Sequence, residues 1–584
     1  MKKFMVLLLA LMMMLGGCTS SSSSSEKTYT AQGTADGIGG AIVVEVTATE
    51  DKIISVKVIE ENETEGIGSI AIEQLPDTIV DANTVKVDGI ATATVTSDAI
   101  KEAVLDAINN MGLDVDKFQQ DPEVEEVEKT DATLDYDIVI VGAGGAGLTA
   151  AATAAQNGAK VLIVEKMPIV GGNTLKATGG MNAAGTQYQA DLGITDSTVE
   201  TFIEDTMEGG HQLNDIDLVT TMAENSADAI DWLTSIGAPL PKVAATGGTT
   251  HKYLHEPEDG SAVGTYLVEK LSTYIDEETD VEIMLNTTAT EILTNDEGAA
   301  VGILANDAEH NYTINAKAVI LTSGGFGANF DMLTEYDEAL ANAVTTNAAG
   351  ATGDGIVMAQ ALGADTVDMD QIQLHPTVYQ ETGLLVSESV RSMGGILVNK
   401  EGKRFTNDMS TRDAVSHAEM EQTDAMAYII FDARIVADLK SCQKYIDAGI
   451  TVSADTYEGL AEAMGLEGDA ITNFVETMNT WNAAVAAGED TEFGRNNGMD
   501  DDLSTAPYYA VPIAPGIHHT MGGLKINTST EVINTDGEVI TGLYACGEVT
   551  GGVHGGNRIG GNAVCDIVVF GRIAGQTASD YIKA

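Results

Sequence analysis

Residues 137–151 read DIVIVGAGGAGLTAA, and the order of their parts decides the fold. Ile138 to Val141 is a short apolar run that spells a buried strand. Gly142, Gly144 and Gly147 come next in GxGxxG spacing. Leu148 to Gln156 continues as an alanine-rich helix, and Val161 to Val164 is the next strand, closed by Glu165. Glycines let a backbone approach a pyrophosphate at a helix N-terminus, and an acid closing the second strand accepts ribose hydroxyls. The glycine spacing alone is a weak signal. Strand, glycines, helix, strand and acid in this order predict a Rossmann-like dinucleotide site.

The segments soon after Glu165 favour FAD over NAD. Gly171, Gly172, Asn173 and Thr174, then Gly179, Gly180, Met181 and Asn182, are polar segments that expose backbone and suit a pyrophosphate, a ribityl chain and an isoalloxazine. Residues 543–563, LYACGEVTGGVHGGNRIGGNA, hold so much glycine that ordinary secondary structure is disfavoured, which implies close approach to a ligand.

At 584 residues and 44% hydrophobic content the chain is too long for one core. Residues 28–118 read as a small α+β unit. Its apolar runs (Val43, Val44, Val46; Ile53, Ile54, Val56, Val58) suggest strands, and Ser97 suits the N-cap of a helix with Ile100, Val104, Ile108 and Met111 on one face. Residues 119–132, acidic and containing Pro122, read as a linker.

Lys2 and Lys3 precede an apolar run from Phe4 to Leu15 that is too short to span a bilayer and reads as a secretory signal. Leu15, Gly16, Gly17 and Cys18 resemble the lipobox of bacterial lipoproteins. That resemblance implies lipidation at Cys18, a tether over Ser20 to Ser25 and a membrane-anchored protein on the extracytoplasmic face. A plain export signal, in which Cys18 has no role, is the alternative. Cys442, Cys546 and Cys565 provide no CxxC pair and no CxxCH, so iron–sulfur clusters and covalent haem are not expected, nor is a metal.

The formal net charge is −60, from 89 acidic and 29 basic residues, which disfavours nucleic acid as a partner. Only seven arginines occur, all from Arg391 to Arg572. Such concentration suits planar recognition of carboxylates. Reducing an activated C=C bond requires a hydride donor, cations that bind carboxylate and polarise the alkene, and an acid for the other carbon. His375, Glu388, Arg391, Arg412, His519 and Arg558 supply groups of these kinds.

In order, VGAGGAGL, EK, GGN, GGMNAA, ATGDG, IQLHPT, SESVR, GKRFTNDMSTRD, HHTMGG and GLYACGEVTGGVHGGNRIGGNA resemble the fumarate reductase flavoprotein family, with its urocanate and acrylate reductase relatives. The resemblance covers roughly residues 133–582. It implies an α/β fold in which a Rossmann-like FAD-binding domain (133–369 and 515–584) carries an inserted α+β capping domain (370–514), whose closing is part of catalysis. FAD, held non-covalently, is then expected against Gly142, Gly144, Gly147, Glu165, Lys166, Asn173, Thr174, Gly180, Met181, Gly324, Gly325, Asp354, Glu548 and Asn562. Arg412 is implied as proton donor, fed through Glu388 and Arg391. His519 and Arg558 would clamp one carboxylate, and His375 and Ser387 the other. His518 is read as a packing or secondary hydrogen-bonding residue, His554 as a support of its loop or a substrate contact, Arg404 as paired with a neighbouring acid, and Arg495 and Arg572 as structural. His375 with a hydroxyl at Ser387 favours fumarate. Leu240 and Leu385, where the compared fumarate reductases carry methionine, leave urocanate, methacrylate or another acrylate open.

DGIATATVTS, residues 88–97, resembles the flavinylation motif of FMN-binding domains, with covalent FMN on Thr94 attached by an FMN transferase. Ala91 and Thr92 depart from that motif, and Thr96 is a second hydroxyl nearby. Electrons would pass from a membrane donor of quinol or NADH dehydrogenase type through FMN to FAD. A flavin electron-transfer lipoprotein without catalysis is the non-enzymatic alternative.

Overall fold

Alternation of apolar and polar residues along Gly40–Ala48 buries Ile42, Val44 and Val46 on one face of a three-stranded antiparallel sheet, completed by Tyr29–Gly37 and Ile53–Glu60. The computed structural model describes residues 27–584 except 38, 64–67, 88, 91–93 and 122–128. Helices Gly68–Ala82 and Thr94–Asn110 cover that sheet and bring Leu75, Ile79, Ile100, Val104 and Ile108 into a separate core. The second helix begins three residues before the expected cap. Ser97 sits inside its first turns, and its Oγ accepts the Ile90 N–H at 2.9 Å, tying the preceding loop to the helix. Cys18 and the rest of residues 1–26 lie outside the described residues, as do residues 122–128, half of the acidic segment expected to be a linker. Thr130–Asp135, whose first three residues were assigned to that linker, form a strand paired in parallel with His310–Asn315.

The βαβ unit forms as the glycine pattern predicts. Ile138–Val141 and Val161–Val164 lie side by side in a six-stranded sheet ordered Glu282–Met284, Val161–Val164, Ile138–Val141, Ala318–Leu321, Val539–Ala545, Glu531–Ile533. Neighbours are parallel except the last pair. The three central strands, Val161–Val164, Ile138–Val141 and Ala318–Leu321, are apolar throughout because both faces are covered. Helix Gly145–Gln156 packs on the C-terminal helix Asn562–Tyr581, so the first and last parts of this unit share one core.

A third core, centred on Trp481, Phe474 and Phe431, fills the region between Val386 and Ile513. Its sheet runs Leu384–Leu385, Ile372–Tyr379, Tyr508–Thr520, Ala427–Asp432, Ile396–Val398. Strand Tyr508–Thr520 starts in this core and ends at His518 and His519, beside the dinucleotide-binding unit. Its partner Ile372–Tyr379 sets Gln373 opposite His519 and His375 opposite Gly516. This register brings residues far apart in sequence to the boundary between two cores. No helix among the described residues is long and apolar enough to cross a membrane.

Candidate active site

Gly142 has φ +106°, and a Cβ there would stand 2.6 Å from the Thr322 carbonyl oxygen. At Gly147 a Cβ would stand 2.0 Å from the Gly142 carbonyl oxygen. Both positions therefore require glycine, and together they close the turn that opens a cleft of about 850 Å³. Gly142, Gly144, Glu165, Lys166, Gly324 and Asp354 are among its lining residues. Glu165 accepts the backbone N–H of Ala143 and of Met167, each at 2.8 Å, and each oxygen keeps a second lone pair for a hydroxyl. Lys166 Nζ is paired with Asp354 at 2.6 Å, and Asn173 accepts the Ala348 N–H at 2.7 Å. Gly147, Met181, Gly325 and Asn562 support the cleft from behind rather than line it. At Gly325 a Cβ would stand 2.0 Å from Thr520 Oγ, and Asn562 accepts Asn182 Nδ2 at 2.7 Å. A glycine-lined turn at a helix N-terminus, with an acid at the end of the second strand, fits the pyrophosphate and ribose of FAD.

A second cleft of about 990 Å³ adjoins the first and shares Asn173, Thr174, Glu548 and Ile567 with it. His375, Ser387, Glu388, Arg412, His519 and Arg558 all line it. Six groups chosen from separate motifs thus meet in one space. Arg391 does not reach the cleft and lies fully buried behind Glu388.

Arg412 opens helix Arg412–Met420. Its Nε and Nη2 donate to Glu388 Oε2 at 3.1 and 2.7 Å, and its Nη1 donates to Gln373 Oε1 at 3.1 Å. Burial would raise the Glu388 carboxyl, but Arg412 and Arg391 outweigh it and hold the group below its usual value. Arg391 Nη2 approaches Glu388 Oε1 at 3.5 Å, and its Nη1 donates to the Asp408 carbonyl oxygen at 2.5 Å. Arg404 and Arg495 do hold structure. Arg404 pairs with Asp408 at 2.7 Å and Asp490 at 2.9 Å, Arg495 donates to the Arg391 carbonyl oxygen at 2.5 Å, and both lie over the Trp481 ring.

The three cleft histidines are neutral for one shared reason. Burial pushes His375, His518 and His519 well below the ordinary imidazole value, and Arg412 and Arg558 push them further. The Thr377 backbone N–H points at His375 Nδ1 at 3.2 Å, which places the ring proton on Nε2. That Nε2 has no protein partner among the described residues, and neither does His519 Nε2. Ser387 Oγ accepts the Ser389 N–H at 3.2 Å, leaving its hydroxyl proton free to donate. Arg558 is deeply buried, and its Nε has no partner among the described residues. Burial and repulsion from Arg412 weaken its hold on the proton. Unpartnered donors around a shared space suit a ligand with carboxylates.

Sequence reasoning missed several members. His518 makes the secondary hydrogen bond expected of it, at Thr346 Oγ1 (2.7 Å), but also lines the cleft, with its ring 4.9 Å from that of His375. Gln373 sits inside IQLHPT, where only its neighbour His375 drew notice. Tyr445, on the capping helix Lys440–Asp447, accepts the Ser387 N–H at 2.8 Å, and nothing local in its segment signals that contact. His554 pairs with Asp566 at 3.1 Å and supports His519 edge-on rather than lining the cleft. Leu385 lines the cleft, whereas Leu240 is buried in the core and does not. Thr94 begins its helix, and its side chain lies outside what the structure describes. Thr96 is buried and donates to Glu63 Oε2 at 2.6 Å.

The family described as FAD binding domain matches residues 137–564, and that described as FMN-binding domain matches residues 37–109. An NADH:fumarate oxidoreductase of Klebsiella pneumoniae is 43% identical over 538 residues, which are 92% of this chain and 57% of that protein. This chain thus spans little more than half of that relative. A fumarate reductase (cytochrome) of Shewanella frigidimarina is 44% identical over 448 residues, 76% of this chain and 77% of that protein. A urocanate reductase of Eggerthella lenta is 34% identical over 94% of this chain and 91% of its own length. The solved open conformation of a flavocytochrome c3 fumarate reductase superposes with a TM-score of 0.64 at 41% identity, over 77% of this chain and 79% of that one.

One expectation is corrected here. The reading of a membrane lipoprotein, with an export signal in residues 1–27 and a lipid anchor at Cys18, does not stand beside the likeness to that flavocytochrome. That reading is withdrawn. With both flavin domains matched and relatives of this identity and coverage, the chain belongs to the fumarate, urocanate and acrylate reductase flavoprotein family.

Proposed function

We propose that this chain reduces the C=C bond of a small unsaturated dicarboxylate, fumarate to succinate, with Arg412 as proton donor. The observation that carries the proposal is Arg412 itself, held between Glu388 and Gln373 on the wall of a cleft around which His375 Nε2, His519 Nε2 and Arg558 Nε have no partner among the described residues. FAD, when bound in the adjoining cleft, supplies the hydride. Arg558 and His519, joined by His518, hold one carboxylate and draw electron density from the alkene. His375 and Ser387 hold the other. Arg412 then delivers a proton to the second carbon, and Glu388 and Arg391 restore it.

Three separate cores support a division into an FMN-binding unit at 28–118, an FAD-binding unit at 133–369 and 515–584, and a cap at 370–514 that closes over substrate and excludes water. FMN is carried covalently on Thr94 by the action of a transferase. Engagement of the Thr96 hydroxyl by Glu63 favours Thr94 over its neighbour. An NADH- or quinol-linked donor supplies electrons to FMN, which passes them to FAD.

Reduced, flavin-loaded protein tested with fumarate, urocanate, methacrylate and cinnamate is expected to be reoxidised with the highest kcat/KM by fumarate. A higher value for another acid would reassign the substrate. Arg412→Ala is expected to bind FAD and lose nearly all turnover with every acid, and retained turnover would remove it as proton donor.

A further inference from the structure

One buried acid has no part in these roles. Glu419 is fully buried, and neither of its carboxyl oxygens has a hydrogen-bond partner among the described residues. A buried, unpartnered carboxylate is costly, so such a group persists in the neutral form or against a nearby cation. Glu419 stands seven residues after Arg412 on helix Arg412–Met420, two turns along the same buried stripe, with Ser416 between them. The helix runs from the cleft at Arg412 to the surface, where Met420 is 41% exposed.

The cation is Arg391. Its Nε and Nη2 are buried without hydrogen-bond partners among the described residues, and its charge and the Glu419 carboxyl act on each other without a direct ion pair, their nitrogens and oxygens standing more than 4.0 Å apart. On its other side Arg391 faces Glu388 at 3.5 Å, which in turn holds Arg412 at 2.7 Å. Arg391, Glu388 and Arg412 therefore form a contacting succession that ends at the cleft, and a water held between the unpartnered oxygens of Glu419 and nitrogens of Arg391 would join Glu419 to it. From the neighbouring strand Ala427–Asp432, the Ala427 amide also favours the ionised form of Glu419. Ser416, on its own helix, contributes no charge. Burial outweighs Arg391 and that amide and pushes the carboxyl well above its usual value.

We propose that Glu419 is a proton-holding positioning residue behind Arg391, which recharges the Arg391, Glu388, Arg412 route after each turnover. This rests on the reading of Arg412 as proton donor. In each cycle Arg412 gives one N–H proton to the substrate carbon, and Glu388, ionised at rest, takes a proton from Arg391 and passes it to Arg412. Arg391 is then recharged from the Glu419 carboxyl through the intervening water. Glu419 is left as a carboxylate beside protonated Arg391 and recovers one proton from water at the outer end of the helix. One proton enters for each that reaches substrate, and no electron moves along the chain.

The test is Glu419→Gln in the full, flavin-loaded chain. Shape and burial are kept and the transferable proton is lost. The KM for fumarate should hold while kcat falls about tenfold or more, increasingly so as pH rises, with a larger solvent isotope effect on kcat. Glu419→Asp should recover part of the rate. Infrared spectra at neutral pH should show the carbonyl band of a protonated buried carboxyl in the unaltered protein and not in Glu419→Gln. An unchanged kcat and pH profile in Glu419→Gln overturns the proposal. So does absence of that band from the unaltered protein, a measurement that decides the matter even if the variant does not fold. Turnover retained in Arg412→Ala would defeat the donor reading itself, whereas loss there with an unaffected Glu419→Gln defeats only the role of Glu419.

Discussion

The side-chain oxygen of Gln373 lies 3.1 Å from Arg412 Nη1, and it can face no other way. Its amide nitrogen is held 2.7 Å from both Asn557 Oδ1 and the Arg558 carbonyl oxygen, which use both of its protons. Glu388 takes the opposite edge of the guanidinium. Arg412 is thus fixed on two sides, and its remaining N–H groups are left for substrate. Gln373→Leu removes one of these supports at a cost of about 1–3 kcal/mol, so kcat should fall about tenfold to hundredfold with FAD retained. Stopped-flow reoxidation by fumarate measures this, and an unchanged kcat would show that Glu388 alone orients Arg412.

Tyr445 ties the cap to the substrate cleft through the Ser387 N–H at 2.8 Å. Tyr445→Phe strands that buried donor. Stability should drop by about 1–3 kcal/mol in urea denaturation, and KM should rise more than kcat falls, because Ser387 binds rather than reacts. A fall in kcat with constant KM would place Tyr445 in the chemistry instead.

The neutral histidines set a pH dependence of stability. His375, His518 and His519 have folded-state values depressed well below the usual imidazole value, and His255 is lowered to about 4 by burial. Below about pH 6.5 the unfolded chain takes up protons that the folded chain refuses, so stability is lost as pH falls from there. Each such histidine contributes up to about 1.4 kcal/mol per pH unit in that window. The raised carboxyl of Glu419 acts in the opposite sense in both proteins, so the readout is their difference: from pH 7 to 5 the urea midpoint of His518→Gln should fall less than that of the unaltered protein. An identical slope in the variant would mean that His518 is protonated in the folded protein.

For the small domain, intact-mass measurement decides between two hydroxyls. Protein matured with its transferase should carry the added mass of FMN, keep it in Thr96→Ala and lose it in Thr94→Ala. The opposite pattern would move the attachment to Thr96 and require Glu63 to release it.

Local pattern was enough where function depends on backbone. The turn at Gly142 and Gly147, the strands on either side of it and the acid at Glu165 are contiguous, and each arises from steric demands written in neighbouring residues. The same holds for the scarce arginines, since a buried guanidinium needs a reason and few positions offered one. Boundaries that depend on pairing were less legible. Thr130–Asp135 resembled linker because its partner strand, His310–Asn315, lies far along the chain.

By itself, then, the sequence determined the flavin-binding turn, the family and the chemical types gathered for an enoate. Tertiary structure decided which of those groups share a cleft. The register between Ile372–Tyr379 and Tyr508–Thr520 brings Gln373 and His518 to the site, and packing of the capping helices supplies Tyr445 and buries Glu419 behind Arg391. Orientation, protonation and hydrogen-bond satisfaction arise from contacts between distant segments and from loss of water around them, and neither has a local signature in the chain.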